Sequence, residues 1–396
     1  MRRAERLNRL PPYLFVEMAR AKAAARAAGR EVLDLGIGDP EEPTPSWLVE
    51  VLRQAAGDAR HHRYLSPDTE MAFQHAAAGW LRRRHGVEVD PAGQILPVIG
   101  TKEGLGHLPL ALVDPGDGVL VPDPGYPVYA AAAALAGAEI TRFPLAEEDG
   151  FRPRLEELRN ARTRAARLLF LNYPNNPTGA TVDAGFFRGV VSWAEAHGVT
   201  IAHDAAYAEI TFDGYRAPSL LAALTPAVRA VEFHSLSKTW NMCGWRVGFA
   251  AGDAETVAAL RQLKSNLDSG GFGAVLAAAT AALASPEGPP PEAVAAYERR
   301  RDLLLAGLEA AGWIARRPRG AFYVWARPPA PASSLALARE LLARLDVATA
   351  PGVGFGPGGE GYVRFSLTAR TEIVERAAER LAGVDALDLA RECAAV

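Results

Sequence analysis

The chain has 396 residues, of which 49% are hydrophobic and 22% are charged, and its formal net charge is −3. This composition is typical of a globular protein with a sizeable core, and the length suits one large domain and a smaller one. The small negative charge excludes the basic field that nucleic acid requires. The two cysteines, Cys243 and Cys393, exclude a disulfide framework and have no zinc-ligand spacing, so we expect no metal, and for Cys243 a packing role.

The first residues, Met1-Arg-Arg-Ala-Glu, lack the apolar segment of a secretory signal. No run reaches about 18 uninterrupted apolar residues, the length at which a membrane span is expected. We therefore expect a cytoplasmic protein without a membrane partner.

The N-terminal part of the chain predicts helices around one short strand. Residues 13–29 have an amphipathic helical pattern that ends at Gly29, and residues 32–38 form an apolar run that breaks into a glycine turn. Residues 47–56 and 71–85 predict two further helices.

From residue 94 onward, short apolar runs alternate with helical patterns. The runs with strand character are residues 95–99, 118–121, 167–171, 199–203, 228–233 and 247–250. Residues 184–197 form one of the helical segments between them. This alternation predicts a mostly parallel sheet of about seven strands with helices on both faces.

A proline-rich segment, residues 285–291, is the clearest break in composition and precedes a long helix over residues 292–311. Beyond it the predicted elements are a strand, a helix, a strand and a last helix, at residues 321–326, 335–345, 361–366 and from 372. We expect a large domain over residues 45–285, and a smaller α+β domain from residues 1–44 and 286–396.

Lys238 is one of only four lysines and lies in the segment Phe233-His-Ser-Leu-Ser-Lys-Thr-Trp-Asn-Met-Cys-Gly-Trp-Arg-Val-Gly-Phe249. A lysine amine can form a Schiff base with an aldehyde cofactor. Ser235, Ser237 and Arg246 beside it are donors that suit a phosphate group. The segment therefore predicts a pyridoxal phosphate site.

Three loops that follow predicted strands carry further candidates. Gly100-Thr-Lys-Glu-Gly104 opens a helix whose backbone amides can bind phosphate, although an ordinary strand-to-helix turn has the same pattern. Tyr126 can stack on a flat heterocycle, or it can be a core tyrosine in a turn. Asn176, in Leu171-Asn-Tyr-Pro-Asn-Asn-Pro-Thr-Gly179, lies in a rigid polar loop and can donate to a phenolate oxygen.

Two charged residues near strand ends complete the candidates. Asp204 ends a buried strand, where a carboxylate requires a partner such as a pyridinium N–H, unless it caps a helix. Tyr207 follows three residues later. Arg364 lies in an alternating strand and can grip a carboxylate with two hydrogen bonds, unless it is an exposed strand residue.

Together these segments resemble the class I/II aminotransferases of fold type I over nearly the whole chain. The most specific signatures are Asn-Asn-Pro-Thr-Gly179, Ser-Leu-Ser-Lys238 and Gly-Trp-Arg-Val-Gly-Phe249. The resemblance implies an α/β fold, with a large domain built on a mostly parallel seven-stranded sheet and a smaller α+β domain. It also implies pyridoxal 5'-phosphate as cofactor, with an amino acid and a 2-oxo acid as substrates.

The resemblance implies a catalytic set of Lys238 as the Schiff-base lysine, Asp204 on the pyridine nitrogen and Tyr126 stacked on the ring. Asn176 and Tyr207 would contact the phenolic oxygen. The phosphate would be held by Thr101, Lys102, Ser235, Ser237 and Arg246, and by Tyr64 from the neighbouring subunit of a homodimer. Arg364, with Gly38 beside it, would bind the α-carboxylate of the substrate.

Four segments are similar to LL-diaminopimelate aminotransferases in particular: Pro11-Pro-Tyr-Leu-Phe15, Gly-Thr-Lys-Glu-Gly104, Tyr-Pro-Val-Tyr129 and Leu263-Lys-Ser-Asn-Leu-Asp-Ser-Gly270. This narrower resemblance implies lysine biosynthesis, with LL-diaminopimelate and 2-oxoglutarate as substrates. It adds Tyr13, Lys102 and Asn176 as substrate contacts, and Asn266 from the partner chain.

Several residues depart from that narrower pattern. Asp68 stands where glycine is more usual, Thr101 replaces serine, and Trp240 and Cys243 replace tyrosine and threonine. An aminotransferase for aspartate, alanine, aromatic amino acids or succinyldiaminopimelate therefore remains an alternative, as does a C–S β-lyase on the same fold. A transcription regulator with this fold would carry a basic DNA-binding domain ahead of it, and here the fold begins at the N-terminus.

Overall fold

The computed structural model describes residues 3–10, 14–159, 166–286 and 290–394, without the side chains of residues 14, 15 and 159. The helices are α1 (Leu14–Ala27), α2 (Ser46–Ala56), α3 (Pro67–His85), α4 (Pro91–Gln94), α5 (Thr101–Leu112), α6 (Val128–Ala136), α7 (Ala184–His197), α8 (Leu236–Thr239), α9 (Ala254–Leu267), α10 (Gly273–Ala284), α11 (Pro291–Ala310), α12 (Ser334–Leu345), α13 (Thr371–Ala382) and α14 (Ala386–Glu392). Among the described residues, no helix combines the length and the apolarity needed to cross a membrane.

The strands form three sheets. They are β1 (Leu33–Asp34), β2 (Ile95–Val98), β3 (Gly118–Asp123), β4 (Glu139–Pro144), β5 (Ala166–Asn172), β6 (Thr200–Asp204), β7 (Ala230–Ser235), β8 (Gly248–Gly252), β9 (Ile314–Ala315), β10 (Tyr323–Arg327), β11 (Val347–Ala348), β12 (Ala350–Pro351) and β13 (Val363–Ser366). The large sheet has the order β2-β8-β7-β6-β5-β3-β4. Neighbours from β4 to β7 pair in parallel, whereas β8 is antiparallel to both β7 and β2.

Helices cover both faces of the large sheet. On one face, Phe170 and Ala202 share a core cluster with side chains of α5, α6 and α9. On the other face, Leu171 and Ile201 share a cluster with side chains of α7. Because successive strand residues point to opposite faces, two covered faces require nearly continuous apolar strands, and this explains the run-like pattern in the sequence.

The six predicted strands of this sheet are confirmed, with bounds that differ by one or two residues. The seventh strand, β4, was counted but not located in the sequence. It lies at the sheet edge, and among its residues only Phe143 is buried. An edge strand of this kind has no apolar run to reveal it.

The C-terminal part of the chain forms a four-stranded antiparallel sheet with the order β12-β13-β10-β9. The N-terminal segment joins it, because β1 pairs with β11 and the Ser366 amide donates to the Leu35 carbonyl at 2.7 Å. The predicted strand over residues 32–38 is shorter than expected. We propose the domain division at residues 45–285 on this basis, since the large sheet lies inside that range and the small sheet lies beyond it.

Gly307 of α11 lies against the backbone of α13. An ideal Cβ at Gly307 would lie 2.5 Å from the Ala378 carbonyl oxygen, a contact that backbone atoms relieve only by moving the two helices apart. We expect Gly307→Ala to lower the free energy of unfolding by about 1–3 kcal/mol, measured by urea denaturation.

The matched control is Gly189→Ala in α7, where the nearest atom to an added Cβ is Leu155 Cδ1 at an ordinary 3.5 Å. Helix propensity predicts that this variant gains up to about 1 kcal/mol. Equal effects of the two substitutions would contradict the close approach of α11 and α13.

Candidate active site

The candidate site lies where β5, β6 and β7 end at the same edge of the large sheet. The register pairs Asn172 with Asp204, and Asp204 with Phe233. Ligands of open α/β sheets bind beyond the carboxyl ends of the strands. The loop after β5, the residues after Asp204 and the short helix α8 after β7 therefore meet at one place.

Asp204 is a buried carboxylate whose two hydrogen-bond donors are both neutral. Its side chain is 4% exposed, and it accepts from the Tyr129 hydroxyl at 2.8 Å and from the Ala206 amide at 3.2 Å. Burial raises the pKa of Asp204, and these two hydrogen bonds offset part of that rise. A protonated ring nitrogen is the kind of cationic donor that such a carboxylate fits.

Tyr129, which donates to Asp204, was not among the predicted site residues. Its ring is stacked on Phe170, with centroids 5.0 Å apart. Burial and the neighbouring Asp204 raise the pKa of Tyr129 well above its ordinary value, so its hydroxyl stays protonated and can donate. The available signal was a tyrosine in the first turn of an otherwise alanine-rich helix.

The loop after β5 is held by its own asparagines. Asn172 donates from Nδ2 to the Asp204 carbonyl at 2.7 Å, and its Oδ1 accepts from the Asn176 amide at 2.7 Å. Asn175 Oδ1 accepts from the amide and the hydroxyl of Thr178, at 3.1 Å and 2.8 Å. The loop is therefore rigid, and it fixes the Asn176 side chain relative to Asp204.

Asn176, Tyr207 and Arg364 come together from distant parts of the chain. Arg364 Nη1 donates to Asn176 Oδ1 at 2.8 Å, and its Nη2 donates to the Gly36 carbonyl at 3.0 Å. Asn176 Nδ2 lies 3.5 Å from the Tyr207 hydroxyl. Arg364 is only 3% exposed, so it is not the solvent-facing strand arginine of the alternative interpretation.

Lys238 lies close to these residues, because it contacts Gly38, two residues after the Gly36 carbonyl that Arg364 contacts. Its Nζ donates to the Gly38 carbonyl at 2.8 Å and to Cys243 Sγ at 3.1 Å, and the Cys243 thiol donates to the Ser237 carbonyl at 3.1 Å. The sequence placed Cys243 in packing and gave no sign of its contact with Lys238. Burial raises the pKa of this thiol, which favours the protonated form over a nucleophilic thiolate.

Of the predicted phosphate residues, Thr101, Ser235 and Arg246 lie together at the N-terminus of α5. An ideal Cβ at Gly100 would lie 2.3 Å from Arg246 Nη2, so this position, with its φ of 73°, requires glycine. Thr101 begins the helix, and Ser235 accepts from the Ser237 amide at 3.2 Å. A helix N-terminus, two hydroxyls and a guanidinium suit a phosphate.

The remaining predicted residues are half-buried, exposed or outside the described part of the chain. Tyr126 is half-buried, with its ring centroid 5.7 Å from that of Tyr129. Lys102 and Asn266 are exposed, and Tyr64 is 85% exposed. Tyr13 lies outside the described residues.

A buried cluster of Glu232, two histidines and a serine lies on the face of the sheet opposite to Asp204. Glu232, which is 0% exposed, accepts from His203 at 2.9 Å, from His234 at 2.8 Å and from the Ser219 hydroxyl at 2.7 Å. Burial alone would raise the pKa of Glu232, but the two histidines lower it well below its usual value. His203 and Asp204 are adjacent in β6, so the cluster fixes the strand behind the site.

The raised pKa of Asp204 gives a pH-dependent stability. A carboxyl whose pKa rises on folding stabilises the protein fully below the unfolded value, about 3.9, and loses that stabilisation as pH rises through the folded value. We expect Asp204→Asn, without cofactor, to melt at least as high as the unsubstituted protein at pH 8, with the difference narrowing as the pH falls towards the unfolded value.

Asp213→Asn is the control, because the pKa of Asp213 is shifted in the opposite direction from that of Asp204. The hydrogen bond from Arg301 lowers the pKa of Asp213, so this carboxylate stabilises the fold at neutral pH and stops doing so as the solution becomes acidic. Asp213→Asn is expected to lower the melting temperature at pH 8. Asp204→Asn could instead melt below the unsubstituted protein at pH 8, with a smaller deficit in acid. That result would contradict the interpretation that the ionised carboxylate of Asp204 destabilises the cofactor-free fold.

The family model for aminotransferase class I and II matches residues 30–381. The LL-diaminopimelate aminotransferase of Moorella thermoacetica is 45% identical over 381 residues, which cover 96% of this chain and 98% of that protein. The protein of the same name from Syntrophobacter fumaroxidans is 47% identical over 379 residues, with the same two coverages.

Solved structures agree in fold over nearly the full chain. Substrate-bound BacF from Bacillus subtilis superimposes with a TM-score of 0.90 at 34% identity, covering 97% of this chain and 98% of that one. A probable N-succinyldiaminopimelate aminotransferase from Thermus thermophilus has a TM-score of 0.87 at 37% identity, covering 93% and 99%. The predicted fold is confirmed, and the chain belongs to the class I and II aminotransferases, enzymes that use pyridoxal phosphate.

Proposed function

We propose that the protein transfers an amino group from LL-diaminopimelate to 2-oxoglutarate. The proposal rests on a chain of contacts that runs from Lys238 through Gly38 and Tyr323 to Tyr207, and on through Asn176 to Arg364. Asp204 lies three residues before Tyr207, and the chain is 40–47% identical to proteins named LL-diaminopimelate aminotransferases. Lys238, Asp204 and Arg364 supply an amine, a buried carboxylate and a guanidinium, and each has a separate task in transamination.

Pyridoxal phosphate, when bound, supplies an aldehyde that links to amines and a ring that accepts the electron pair left on the substrate Cα. Lys238 is the amine that holds this group and that the substrate amine displaces. Its freed Nζ would take the proton from Cα and deliver it to C4′, the carbon of the cofactor's aldehyde group, while the Gly38 carbonyl and Cys243 Sγ hold Nζ in place.

Asp204 would keep the ring nitrogen protonated. The Tyr129 hydroxyl and the Ala206 amide hold the two carboxylate oxygens of Asp204 in place. Asn176 and Tyr207 donate to the ring oxygen. Tyr126 stacks on the ring face. We assign the phosphate to residues around the N-terminus of α5 and the segment after β7, namely Thr101, Lys102, Ser235, Ser237 and Arg246.

Arg364 binds the α-carboxylate with two parallel hydrogen bonds. Asn176 Oδ1 and the Gly36 carbonyl hold the plane of its guanidinium. Gly38 lies against the Tyr323 hydroxyl, and the ring of Tyr323 packs against the Arg364 guanidinium. A fixed carboxylate leaves the Cα proton within reach of Lys238. For the distal end of the substrate we propose Tyr13 and Lys102.

We further propose a homodimer in which Tyr64 reaches the phosphate site of the partner subunit, with Asn266 near its substrate. Tyr64, Leu267 and Phe272 are 85%, 55% and 47% exposed, and large exposed apolar side chains of this kind favour a protein interface. The unpaired thiols of Cys243 and Cys393 are typical of a reducing compartment, which supports the cytoplasm as location.

The test is a single-turnover reaction of the cofactor-loaded enzyme with one amino donor at a time. We expect LL-diaminopimelate to bleach the visible absorbance of the cofactor held by Lys238, and 2-oxoglutarate to restore it. The other donors are N-succinyl-LL-diaminopimelate, glutamate, aspartate, alanine and aromatic amino acids. Lys238→Ala should show neither the linked-cofactor absorbance nor its bleaching.

Bleaching by another donor but not by LL-diaminopimelate would reject the substrate and leave the aminotransferase assignment intact. Release of pyruvate from a cysteine conjugate without a 2-oxo acid would instead indicate a C–S β-lyase. Persistence of the linked-cofactor absorbance in Lys238→Ala would overturn the role of the lysine.

A further inference from the structure

Four buried side chains form a closed ring of contacts beside Lys238. The Tyr207 and Tyr323 hydroxyls are 3.0 Å apart, and the guanidinium carbon of Arg364 lies 4.1 Å from the centroid of the Tyr323 ring. Arg364 donates to Asn176, and Asn176 in turn contacts Tyr207. Tyr323 is the only member of this ring that the sequence did not single out.

The fold holds the Tyr323 hydroxyl tightly. Tyr323 begins β10 opposite Ser366 of β13, the strand that also carries Arg364. An ideal Cβ at Gly38 would lie 2.0 Å from the Tyr323 hydroxyl oxygen, so only glycine leaves room for that oxygen. At 2% exposure the side chain is fixed between Gly38, Tyr207 and Arg364.

The direction of the hydrogen bonds follows from counting protons. A tyrosine hydroxyl has one proton to donate and can accept at its oxygen. Burial raises the pKa of Tyr207 well above its ordinary value, so the residue keeps its proton. If that proton goes to the ring oxygen of the cofactor, the bond between the two tyrosines can only run from Tyr323 to Tyr207.

Tyr207 then accepts from Tyr323 and from Asn176 while it donates its own proton. Hydrogen bonds in a chain polarise one another, so each donor to the Tyr207 oxygen strengthens the bond from Tyr207 to the ring oxygen. The positive charge of Arg364 over the Tyr323 ring attracts the ring electrons and makes the Tyr323 hydroxyl a better donor.

We propose that Tyr323 is a positioning residue that couples the carboxylate site at Arg364 to the Tyr207 hydroxyl at the cofactor ring oxygen. The inference rests on the proposed function, from which it takes the roles of Tyr207 and Arg364. A carboxylate on Arg364 offsets the guanidinium charge, weakens donation by Tyr323 and thereby reduces the stabilisation of the ring oxygen.

The test is a pH titration of the visible absorbance of the cofactor linked to Lys238. A less stabilised ring oxygen is more negative and holds the proton of the neighbouring linkage more strongly. We expect Tyr323→Phe to raise the midpoint of this titration by about half a pH unit, the size expected for loss of one hydrogen bond. Pimelate, a dicarboxylate without amino groups, should raise the midpoint less in Tyr323→Phe than in the unsubstituted enzyme.

The matched control is Tyr362→Phe. The Tyr362 hydroxyl donates to Glu147 at 2.9 Å and its ring is stacked on Trp325, so the variant loses a hydroxyl in the same region without altering the ring of contacts. Its midpoint should equal that of the unsubstituted enzyme. In a Tyr207→Phe background, Tyr323→Phe should produce no further shift, because its effect passes through Tyr207.

An unchanged midpoint in Tyr323→Phe, with only a lower melting temperature, would overturn the inference and leave a structural role. A shift of the same size in the Tyr207→Phe background would also overturn it, since Tyr323 would then act without Tyr207. Both outcomes leave the proposed function standing. If the unsubstituted enzyme showed no linked-cofactor absorbance, the proposed function would fail and the inference with it.

Discussion

The buried carboxylate of Asp204 is the constraint around which the rest of the site is arranged. A charge at 4% exposure is costly, and Asp204 accepts hydrogen bonds from a tyrosine hydroxyl and a backbone amide, both of which are neutral. The strand that ends at Asp204 is held in place on the opposite face of the sheet, where Glu232 binds His203 and His234. Such a carboxylate is most stable opposite a positive charge, which a protonated cofactor ring supplies.

The site also brings together residues of the seven-stranded sheet and of the four-stranded sheet. Asp204 and the loop with Asn176 lie at the carboxyl ends of the strands β6 and β5 of the large sheet, whereas Arg364 and Tyr323 lie in the small sheet. The hydrogen bond from Arg364 to Asn176 joins them directly. The group that binds the substrate carboxylate is therefore part of the same network as the groups assigned to the cofactor ring.

Much of this arrangement could be predicted from the sequence, because it depends on local patterns. Buried parallel strands leave apolar runs, and loops such as the one around Asn176 have a distinctive composition. The edge strand β4 was not located because it buries little. Tyr323 and the contact of Cys243 with Lys238 were missed because they depend on strand register and packing between distant segments, which no local pattern encodes. Tyr129 left a local signal, its place in an alanine-rich helix, but its partner Asp204 lies 75 residues away. The role of Tyr64 depends on a second chain.

The protonation state of the cofactor ring nitrogen tests the role of Asp204 most directly. It can be measured from the nitrogen chemical shift of ¹⁵N-labelled pyridoxal phosphate bound to the unsubstituted enzyme and to Asp204→Asn. We predict a protonated nitrogen at pH 8 in the unsubstituted enzyme and an unprotonated one in Asp204→Asn. An unprotonated nitrogen in the unsubstituted enzyme, or the same shift in both proteins, would contradict the assignment of Asp204 as its counterion.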